Sequence, residues 1–488
     1  MMGEVQHPFD QALLGGLEAR APLGPELARM VLRLSAALRE GEVSIEVPSV
    51  GEMQGAQDAR LRWDPDLSEP VFSPLVVFGG RLYFGRYFED LRRLAHAIEQ
   101  RRNTLPEPAW HPARETLEGL SPGQAQAIEL AGRHAITFVT GGPGTGKTHL
   151  IQSLVASMAP HDHGLLLAPT GKAAGRLPLS DRVEVKTIHR ALGLRPGSLR
   201  PPVHHEEAPF KAQLVVVDEV SMVGLSLLRQ VVEAVAPGAR LVLVGDKDQL
   251  QSVAAGSVLG PVLQESLEAQ TPTDCLAPVA RLSASFRFGG PLAGLASAAI
   301  EGDEAAFFDR LNAGGTGIHW HEYQDVRDLR SRLRGSSSQI LCAHRRGPFG
   351  SEQINAFLVR QRQGQSRPII LRRTDPNLGL FNGDIGLLAG DHAHFKERRV
   401  PRALLPVFES AEALTIHQSQ GSEFDAVGVV LPPADSPLLS RELLYTGVTR
   451  ARDDLTIFAP KESLKPCLRR AHSSAPGLAD LLRQIRQG

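Results

Sequence analysis

A glycine-rich segment with a single lysine stands at Gly141-Gly-Pro-Gly-Thr-Gly-Lys-Thr148. It follows the apolar run AITFVT (135–140) and precedes the amphipathic run HLIQSLVASM, which is the context that a phosphate-binding loop requires. Its glycines let backbone N–H groups converge on a phosphate, and the helix that follows adds positive potential. We expect Lys147 to reach the β- and γ-phosphate oxygens of a nucleotide and Thr148 to ligate Mg²⁺. The predicted nucleotide-binding residues are Gly141, Gly142, Pro143, Gly144, Thr145, Gly146, Lys147 and Thr148.

Two acidic residues, Asp218 and Glu219, end an apolar run further along the chain. A carboxylate in this position can hold Mg²⁺ against the phosphates, and its neighbour can orient or deprotonate the attacking water. An acidic pair at the end of a strand is weak evidence by itself, because such residues are often solvated loop charges. Beside a phosphate-binding loop, the pair predicts phosphoryl transfer with Asp218 as metal ligand and Glu219 as base.

The composition is that of an ordinary globular protein with several domains. A chain of 488 residues is expected to form about three or four domains. No apolar stretch approaches the roughly 20 residues of a membrane span, and the N-terminal residues lack the basic start and apolar run of a secretory signal. We therefore expect a cytoplasmic protein.

The cysteines and the net charge bear on two further questions: whether the chain has a zinc or disulfide site, and how it could contact nucleic acid. Cys275, Cys342 and Cys467 lie far apart, without the spacing of a zinc site or a disulfide framework, and are predicted to be buried apolar residues. The formal net charge of -1 gives no global attraction to nucleic acid, so any such contact must use a local groove.

The elements that must position these residues are short apolar runs followed by polar turns. The first four runs predict buried parallel strands of one α/β core, and four later runs predict a second core. The polar motifs follow the carboxyl ends of these strands, where an open α/β sheet binds its ligands. The runs are AITFVT (135–140), GLLLAP (164–169), QLVVVDE (213–219) and RLVLVGD (240–246), then QILCAH (339–344), ALTIH (413–417), AVGVVLP (426–432) and LTIFAP (455–460).

Three further segments complete the predicted organisation. The runs LVVFGG and RLYFGRYF predict a β-hairpin with its turn at Gly79-Gly80, within a mixed helical and strand domain at 1–105. A stretch rich in Pro, Arg and Glu (102–118) predicts a linker. The runs RPIILRR and IGLLAG predict a small β insertion at about 362–410. We predict a first core at 106–280 and a second core, with the insertion, at 281–488.

The remaining motifs resemble those of superfamily 1 helicases and occur in that family's order. Gly245-Asp-Lys-Asp-Gln249-Leu is similar to motif III, whose glutamine senses the γ-phosphate. The other matches are Leu120-Ser-Pro-Gly-Gln124 (the adenine-recognising glutamine motif), Ala168-Pro-Thr-Gly-Lys172-Ala-Ala (motif Ia), Leu282-Ser-Ala-Ser-Phe-Arg287-Phe (motif IV), Thr415-Ile-His-Gln-Ser-Gln-Gly421-Ser-Glu423 (motif V) and Tyr445-Thr-Gly-Val-Thr-Arg450-Ala-Arg (motif VI). Thr187-Ile-His-Arg, Ala343-His-Arg-Arg-Gly-Pro-Phe-Gly and Leu380-Phe-Asn-Gly-Asp384 resemble the RecD branch, superfamily 1B.

This resemblance implies two RecA-like P-loop domains with ATP and Mg²⁺ between them, and an SH3-like β insertion in the second. It also implies translocation from 5′ to 3′ on single-stranded DNA. Arg287 and Arg450 resemble the two arginines that stabilise the transferring phosphoryl group, which a guanidinium from a second domain can do only when the cleft is closed. Gln124 resembles the residue that recognises adenine. Arg452 is expected to be a neighbour rather than a further such arginine.

The resemblance also implies a track for the strand. A motor holds its polymer through many weak contacts with the backbone and with stacked bases. The residues at the family's strand-contact positions are Thr170, Lys172, His189, Thr415, His417 and Ser419. Alternatively, the hydroxyls serve as caps or turns and the histidines are structural.

Three classes of hypothesis remain open from the sequence. The first is the motor subunit of a RecBCD-type helicase–nuclease (exodeoxyribonuclease V), which acts at DNA ends in double-strand break repair and recombination beside RecB-like and RecC-like chains. On this hypothesis residues 1–105 dock a partner and another chain supplies the nuclease. The alternatives are a free-standing RecD-like helicase or a superfamily 1 RNA helicase, since contacts to the backbone alone do not distinguish the sugars. A third class is a structural subunit with a silent ATPase fold.

Overall fold

The structure is a computed structural model of the 488-residue chain. It describes residues 7–19, 22–47, 60–106, 110, 117–159, 161–195, 200–250, 256, 259–269, 271, 275–284, 290–313, 317–361, 366–375, 377–395, 398–471 and 477–487. None of the helices in these ranges is long and apolar enough to span a membrane.

The N-terminal domain is a four-stranded sheet flanked by helices. The sheet has the order β1-β4-β3-β2. Its β3–β4 hairpin turns at Gly79 and Gly80, whose φ angles of 55° and 71° are those that a two-residue hairpin turn requires. The predicted hairpin is therefore confirmed. The elements are α1 (Pro8–Glu18), α2 (Pro25–Arg39), β1 (Ser44–Glu46), β2 (Leu61–Trp63), β3 (Leu75–Phe78), β4 (Arg81–Phe84) and α3 (Gly85–Arg102).

The first core is a six-stranded parallel sheet with the order β10-β5-β9-β8-β6-β7. The four predicted strands are all present, and the structure adds two edge strands, β7 and β10. The elements are α4 (Pro122–Arg133), β5 (Ile136–Gly141), α5 (Lys147–Ala156), β6 (Gly164–Ala168), α6 (Gly171–Ala174), β7 (Val183–Thr187), α7 (Ile188–Ala191), β8 (Leu214–Val217), a 3₁₀ turn (Val220–Met222), α8 (Leu225–Ala234), β9 (Arg240–Gly245), α9 (Leu259–Glu268) and β10 (Val279–Leu282).

The second core is a five-stranded sheet of parallel strands with the order β11-β20-β19-β12-β18. All four strands predicted here are present. The elements are α10 (Gly290–Glu301), α11 (Glu304–Asn312), β11 (Ile318–His321), α12 (Val326–Leu333), β12 (Gln339–Cys342), α13 (Ser351–Gln361), β18 (Ala413–Thr415), α14 (Ile416–Ser419), β19 (Phe424–Val430), α15 (Arg441–Val448), β20 (Ala451–Phe458), α16 (Lys461–Arg469) and α17 (Gly477–Gln487).

The β insertion lies between α13 and β18 and is a five-stranded antiparallel sheet with the order β16-β15-β14-β13-β17. It has a hydrophobic core of its own that includes Ile369, Leu388 and Phe395. The predicted limits of the insertion and its likeness to an SH3 fold stay predictions. The elements are β13 (Arg367–Leu371), β14 (Ile385–Ala389), β15 (His392–Phe395), β16 (Arg398–Pro401), a 3₁₀ turn (Arg402–Leu404) and β17 (Phe408–Ser410).

Both faces of the first sheet are buried, which explains its continuous apolar runs. Along β8, Val215 and Val217 pack in the cluster that includes the N-terminal helix α3, whereas Leu214 and Val216 pack in the cluster that includes α4 and α5. This alternation follows from the two-residue period of a strand. The N-terminal domain thus shares a hydrophobic core with one face of the first sheet.

Polar contacts reinforce this shared core. Asp90 of α3 forms an ion pair with Arg229 of α8 at 2.6 Å. The buried guanidinium of Arg101 donates to carbonyl oxygens at the end of α8, including that of Val232. Burial lowers the pKa of Arg101 to about 10. Because these carbonyls have no partner within their own helix, Arg101 acts as its C-terminal cap.

The helix α17 returns to the first half of the molecule. Leu478, Ala479, Leu481 and Leu482 are buried in the cluster shared by the N-terminal domain and the first core. The Arg486 guanidinium donates to Glu99 of α3 at 2.9 Å and to the Cys275 carbonyl at 3.0 Å. The predicted domain limits stay predictions, and this contact joins a segment of 281–488 to the two preceding domains.

Candidate nucleotide site between the two cores

The glycine-rich loop connects β5 to α5, and its conformation depends on its glycines. Gly144 and Gly146 have φ angles of 72° and 80°, which side chains rarely adopt. A Cβ at Gly141 would lie 2.7 Å from Thr145 Oγ1 and 2.8 Å from Leu282 Cβ. The hydroxyl of Thr145 donates to the Gly142 carbonyl at 2.8 Å. The loop is therefore a close-packed turn at the start of a helix, which is the geometry that binds phosphate.

The side chain of Lys147 lies over this loop. Its ammonium donates to the carbonyl oxygens of Gly141 at 2.6 Å and of Gly142 at 3.0 Å. These are neutral acceptors, and a phosphate oxygen is a stronger acceptor for the same charged donor. Lys147 therefore stands where it can exchange the loop carbonyls for a phosphate.

Gln124 is hydrogen-bonded to the end of the glycine-rich loop. Its side-chain carbonyl accepts from the Ser121 N–H at 2.9 Å, and its amide donates to the Gly146 carbonyl at 3.2 Å. The Ser121 hydroxyl in turn caps the N–H of Gln124, which completes a capping box at the start of α4. Gln124 is 1% exposed. The structure thus places both polar groups of Gln124 on the chain itself, and the expected contact with adenine stays a prediction.

The acidic pair follows β8, and its second member has an unusual backbone. Glu219 has a φ of 53°, and only Asp64 shares a positive φ among the non-glycine residues in the described ranges. Such conformations cost about 1 to 3 kcal/mol and gather at functional sites. The Glu219 Oε2 atom is buried without a hydrogen-bond partner among the described groups. This oxygen is therefore a candidate acceptor for a water proton.

Asp218 and Thr148 form a suitable donor set for Mg²⁺. Burial, and next the neighbouring charge of Glu219, raise the pKa of Asp218 to about 7, whereas Lys147 opposes that rise. Carboxylate and hydroxyl oxygens are hard ligands, and Mg²⁺ is typically bound by one or two carboxylates together with phosphates. Thr148 is exposed at the start of α5. A divalent cation here would offset the charge that crowds the two carboxylates.

Gln249 lies on the turn that follows β9. Its amide donates to Asp246 Oδ2 at 3.0 Å, and its Oε1 atom is buried without a hydrogen-bond partner in the described part of the chain. The N–H of Asp248 donates to Asp246 Oδ1 at 3.0 Å, so the Asp246 carboxylate closes the turn. Gln249 therefore supplies a second acceptor oxygen without a partner, in addition to that of Glu219, and both residues line the same cleft.

Arg450 comes from the second core, just beyond α15. It is 4% exposed, and its guanidinium donates to the carbonyls of Thr446 and Ser422, both at 3.1 Å. Burial lowers the pKa of Arg450, and the charges of Glu219, Glu423 and Asp246 oppose that shift. Since a guanidinium stays protonated in proteins, Arg450 adds a positive charge to the acidic site of the other core.

One cleft of about 720 Å³ between the two cores brings these residues together. Of the predicted nucleotide and catalytic residues, Gly141 lies buried beneath the loop and Arg287 falls outside the described residues. Arg176, which carried no motif, also lines the cleft, as does Arg452, which is held by Glu423 and Asp425 at 3.3 Å each. The cleft is lined by Gly119, Gln124, Gly142, Pro143, Gly144, Thr145, Gly146, Lys147, Thr148, His149, Ala173, Arg176, Asp218, Glu219, Gln249, Gly421, Glu423, Arg450 and Arg452.

The predicted strand contacts lie on short helices that follow parallel strands. Thr170 caps α6 after β6, and Thr415 caps α14 after β18. Thr187, which is not among the predicted strand contacts, caps α7 after β7 in the same way. A capping threonine accepts through its oxygen and keeps its own O–H free to donate. Thr170, Thr187 and Thr415 thus repeat one local arrangement at the carboxyl edges of the two sheets.

The other predicted contacts differ in exposure. His189 is exposed on α7 and His417 is half-buried on α14. Ser419 is fully buried, and its hydroxyl donates to the Ile416 carbonyl at 2.7 Å. Lys172 donates to the Ser422 hydroxyl of the second core. In this arrangement the Ser419 hydroxyl faces the protein interior, whereas the others lie at or near the surface.

The β insertion borders the same region. A Cβ at Gly171 would lie 2.8 Å from the Cβ of Phe381, so the phenyl ring of the insertion packs directly on α6 of the first core. Together with Lys172, Ser422 and Phe424, this contact surrounds a cavity of about 520 Å³. The insertion therefore touches both cores beside the predicted strand contacts.

The sequence matches two known families. Residues 119–322 match the AAA domain, and residues 410–458 match the UvrD-like helicase C-terminal domain.

Curated relatives align over most of the chain. The RecBCD enzyme subunit RecD of Mycolicibacterium smegmatis is 34% identical over 523 residues, with 92% of each chain covered. The RecBCD enzyme subunit RecD of Mycobacterium tuberculosis is 33% identical, with 91% of this chain and 88% of that chain covered. The ATP-dependent RecD2 DNA helicase of Deinococcus radiodurans is 35% identical, with 77% of this chain and 54% of that chain covered.

Two solved structures are also similar. Bacteroides Pif1 bound to single-stranded DNA has a TM-score of 0.49 at 16% identity, with 75% of this chain and 97% of that chain covered. The Pif1 helicase from Candida albicans has a TM-score of 0.45 at 17% identity, with 75% and 99% covered.

Proposed function

The chain belongs to the RecD family and is an ATP-dependent DNA helicase, and on that premise we propose that it is the RecD motor subunit of a RecBCD-type helicase–nuclease. The observation that carries the motor assignment is the cleft in which the phosphate loop of one core faces Arg450 of the other. A site shared between two cores is completed only when they come together, so nucleotide binding and hydrolysis must change their relation. The proposed motion is translocation from 5′ to 3′ along single-stranded DNA.

The phosphate loop and its neighbours would hold ATP and Mg²⁺. Backbone N–H groups of 142–148 and the Lys147 ammonium would bind the phosphates, and Thr148 and Asp218 would hold the metal. The bound cation would neutralise charge on the phosphate oxygens. The two unpartnered oxygens, Glu219 Oε2 and Gln249 Oε1, would accept the protons of the attacking water and so orient it.

Arg450 would stabilise the negative charge that spreads over the transferring phosphoryl oxygens. It is buried in the second core, so its position follows that core rather than the phosphate loop. An arginine placed in this way typically contributes on the order of 10³ to 10⁵ in rate. Hydrolysis would therefore be fast only in the closed arrangement, which couples chemistry to movement. Arg287 would be the second such arginine.

The strand would pass along the carboxyl edges of the two sheets. The capping hydroxyls of Thr170 and Thr415 and the side chains of Lys172, His189 and His417 would bind phosphates or bases. Ser419 would join this set only after its bond to the Ile416 carbonyl breaks. Such contacts are individually weak, and a motor must release each of them in every cycle.

The subunit assignment is supported by two relatives at 34% and 33% identity that are named RecBCD enzyme subunit RecD and that align with 92% and 91% of this chain. We propose RecB-like and RecC-like partners, action on DNA ends in double-strand break repair and recombination, and a place beside the nucleoid in the cytoplasm. The nuclease would belong to another subunit. The N-terminal domain would dock a partner, and its Phe72, 91% exposed, is a candidate contact.

Two measurements test this proposal. ATP turnover by the purified chain should be stimulated by single-stranded DNA, and unwinding should require a 5′ tail on the duplex. Stimulation by RNA but not DNA would favour the RNA helicase, and a 3′ tail requirement would reverse the polarity. Purification from the native source should bring down two further chains. Recovery of the chain alone, still active in unwinding, would favour the free-standing helicase.

A further inference from the structure

The turn that carries Gln249 belongs to the first core but is anchored in the second. Leu250, the next residue, is 4% exposed and packs in the hydrophobic cluster of the second core, beside residues such as Leu443 and Val448. Its N–H donates to the Thr446 Oγ1 atom at 2.7 Å. Its carbonyl accepts from the Gln420 amide at 2.5 Å. Side chain, donor and acceptor of Leu250 are thus all engaged by the second core.

The opposite end of the same turn is bonded to the second core as well. The Tyr445 hydroxyl donates to Asp246 Oδ2 at 3.2 Å, and that oxygen also accepts from the Gln249 amide. Tyr445 and Thr446 are consecutive residues of α15, and Arg450 follows the end of this helix. One helix of the second core therefore holds both ends of the turn and also delivers the arginine.

These bonds are buried, so a movement of the second core that broke them would be costly. A buried backbone group without a partner is costly, so Leu250 cannot part from Thr446 and Gln420 without a replacement for both bonds. Gln249 is joined to Leu250 by a single peptide bond, and its side-chain amide is held by Asp246, which Tyr445 of α15 also contacts. A displacement of α15 is therefore transmitted to the Gln249 amide.

We propose that Leu250, held by hydrogen bonds to Thr446 and Gln420, is the positioning residue through which the second core places Gln249 for ATP hydrolysis. This inference rests on the proposed function. Separation of the cores would withdraw Gln249 and Arg450 together, since both depend on α15. Two groups of the site would then respond to one movement.

The test removes one bond without a change of shape. Thr446 is fully buried, and Thr446→Val deletes the acceptor for the Leu250 N–H. We expect strand-stimulated kcat to fall about 10- to 100-fold, as a small misplacement of a catalytic group can cause, while KM for ATP stays within about twofold. Thr446→Ser, which keeps the hydroxyl, should restore most of the rate. Thr137→Val is the matched control, because Thr137 is fully buried and its Oγ1 lacks a hydrogen-bond partner.

A double-mutant cycle separates positioning from general damage. If Thr446 acts through Gln249, then Thr446→Val should cost nothing further in a Gln249→Ala background. Full additivity of the two losses would overturn the inference, as would a normal kcat for Thr446→Val. Should Thr446→Val fail to fold, Gln420→Met removes the other bond and must give the same kcat loss and the same non-additivity. Absence of strand-stimulated turnover in the unmodified protein would instead refute the proposed function.

Discussion

The ammonium of Lys147 donates to the carbonyl oxygen of Gly141 at 2.6 Å, so the lysine of the phosphate loop is held by the loop itself. Within the described part of the chain, its hydrogen bonds are confined to that loop, and no hydrophobic cluster there includes it. Its charge can therefore be removed without disturbance of the core.

We expect Lys147→Gln to lower strand-stimulated ATP turnover by at least about 100-fold, as loss of a donor to developing charge does. The thermal midpoint should stay close to that of the unmodified protein. Phosphate release measured with saturating single-stranded DNA tests the first statement, and circular dichroism tests the second. Lys211→Gln, an exposed lysine outside the cleft, is the control. Retained turnover in Lys147→Gln would refute the nucleotide site.

Arg450→Ala should bind ATP nearly as well as the unmodified protein but hydrolyse it about 1,000-fold more slowly, since such an arginine acts on the transition state. Removal of a buried guanidinium also takes the Arg450 donor away from the Ser422 carbonyl, so Arg450→Lys is needed beside it. We expect the lysine variant to remain slow, because it lacks the planar fork of arginine. Arg469→Ala, which removes an exposed ion pair with Glu304, controls for loss of charge. Loss of ATP affinity without loss of kcat would contradict the role of Arg450.

The positive φ of Glu219 predicts an unusual order of thermal stability for two substitutions at this position. At a φ of 53°, glycine is free of the strain that any side chain suffers there, typically about 1 to 2 kcal/mol. We therefore expect Glu219→Gly to melt at a higher temperature than Glu219→Ala, the reverse of the order at ordinary sites. Both variants should lack strand-stimulated turnover. Differential scanning fluorimetry checks the order, and an alanine variant equal to or more stable than the glycine variant would refute the strain.

Gly171 tests the contact between the insertion and the first core. A Cβ there would press on Phe381 at 2.8 Å, and overpacking of a filled contact typically costs ~1 to 3 kcal/mol. We expect Gly171→Ala to weaken binding of a fluorescent single-stranded oligonucleotide about tenfold, because α6 also carries Lys172. Gly175→Ala, whose Cβ would meet nothing closer than 3.5 Å, should bind normally. Equal affinities for the two variants would remove the insertion from the strand track.

Asp10 predicts a pH-dependent stability of the N-terminal domain. Burial opposes its ionisation, but hydrogen bonds from Ser35 at 2.7 Å and from Arg39 outweigh burial and hold the pKa of Asp10 below its ordinary value. A carboxyl with a depressed folded-state pKa stabilises the fold at neutral pH, and this contribution is lost as the pH falls through that pKa. Asp10→Asn should therefore melt below the unmodified protein at pH 7, and the gap should close toward pH 3. A constant gap would contradict the ion pair.

Many of the strands could be predicted from the sequence because both faces of the parallel sheets are buried. Buried strands such as β8 and β9 are continuous apolar runs, and such runs are easily recognised. The strand β7 (Val183–Thr187) was missed because it lies at a sheet edge, is partly exposed and alternates apolar with charged residues. Gln124 was read only as an adenine contact, although Ser121-Pro-Gly-Gln124 also has the spacing of a capping box.

Contacts between distant segments could not be predicted. The bond from Leu250 to Thr446 joins residues 196 positions apart, and no local pattern marks either partner. The burial of Ser419 likewise depends on how α14 packs in the second core. Local chemistry predicted the loop and the acidic pair, and the resemblance to the helicase motifs predicted Gln249, whereas the geometry that joins the cores required the structure.

The return of α17 to the N-terminal half has a consequence for biosynthesis. Arg486 pairs with Glu99 across 387 positions of sequence, and Leu478, Leu481 and Leu482 fill the core shared by α3 and the first sheet. At a translation rate of roughly 5 to 20 residues per second, α17 is synthesised roughly 20 to 80 seconds after α3. During that interval the apolar surface that α17 covers stays open, and a chaperone or the flanking helices must shield it. The first half of this motor is therefore finished only after its second core has been made.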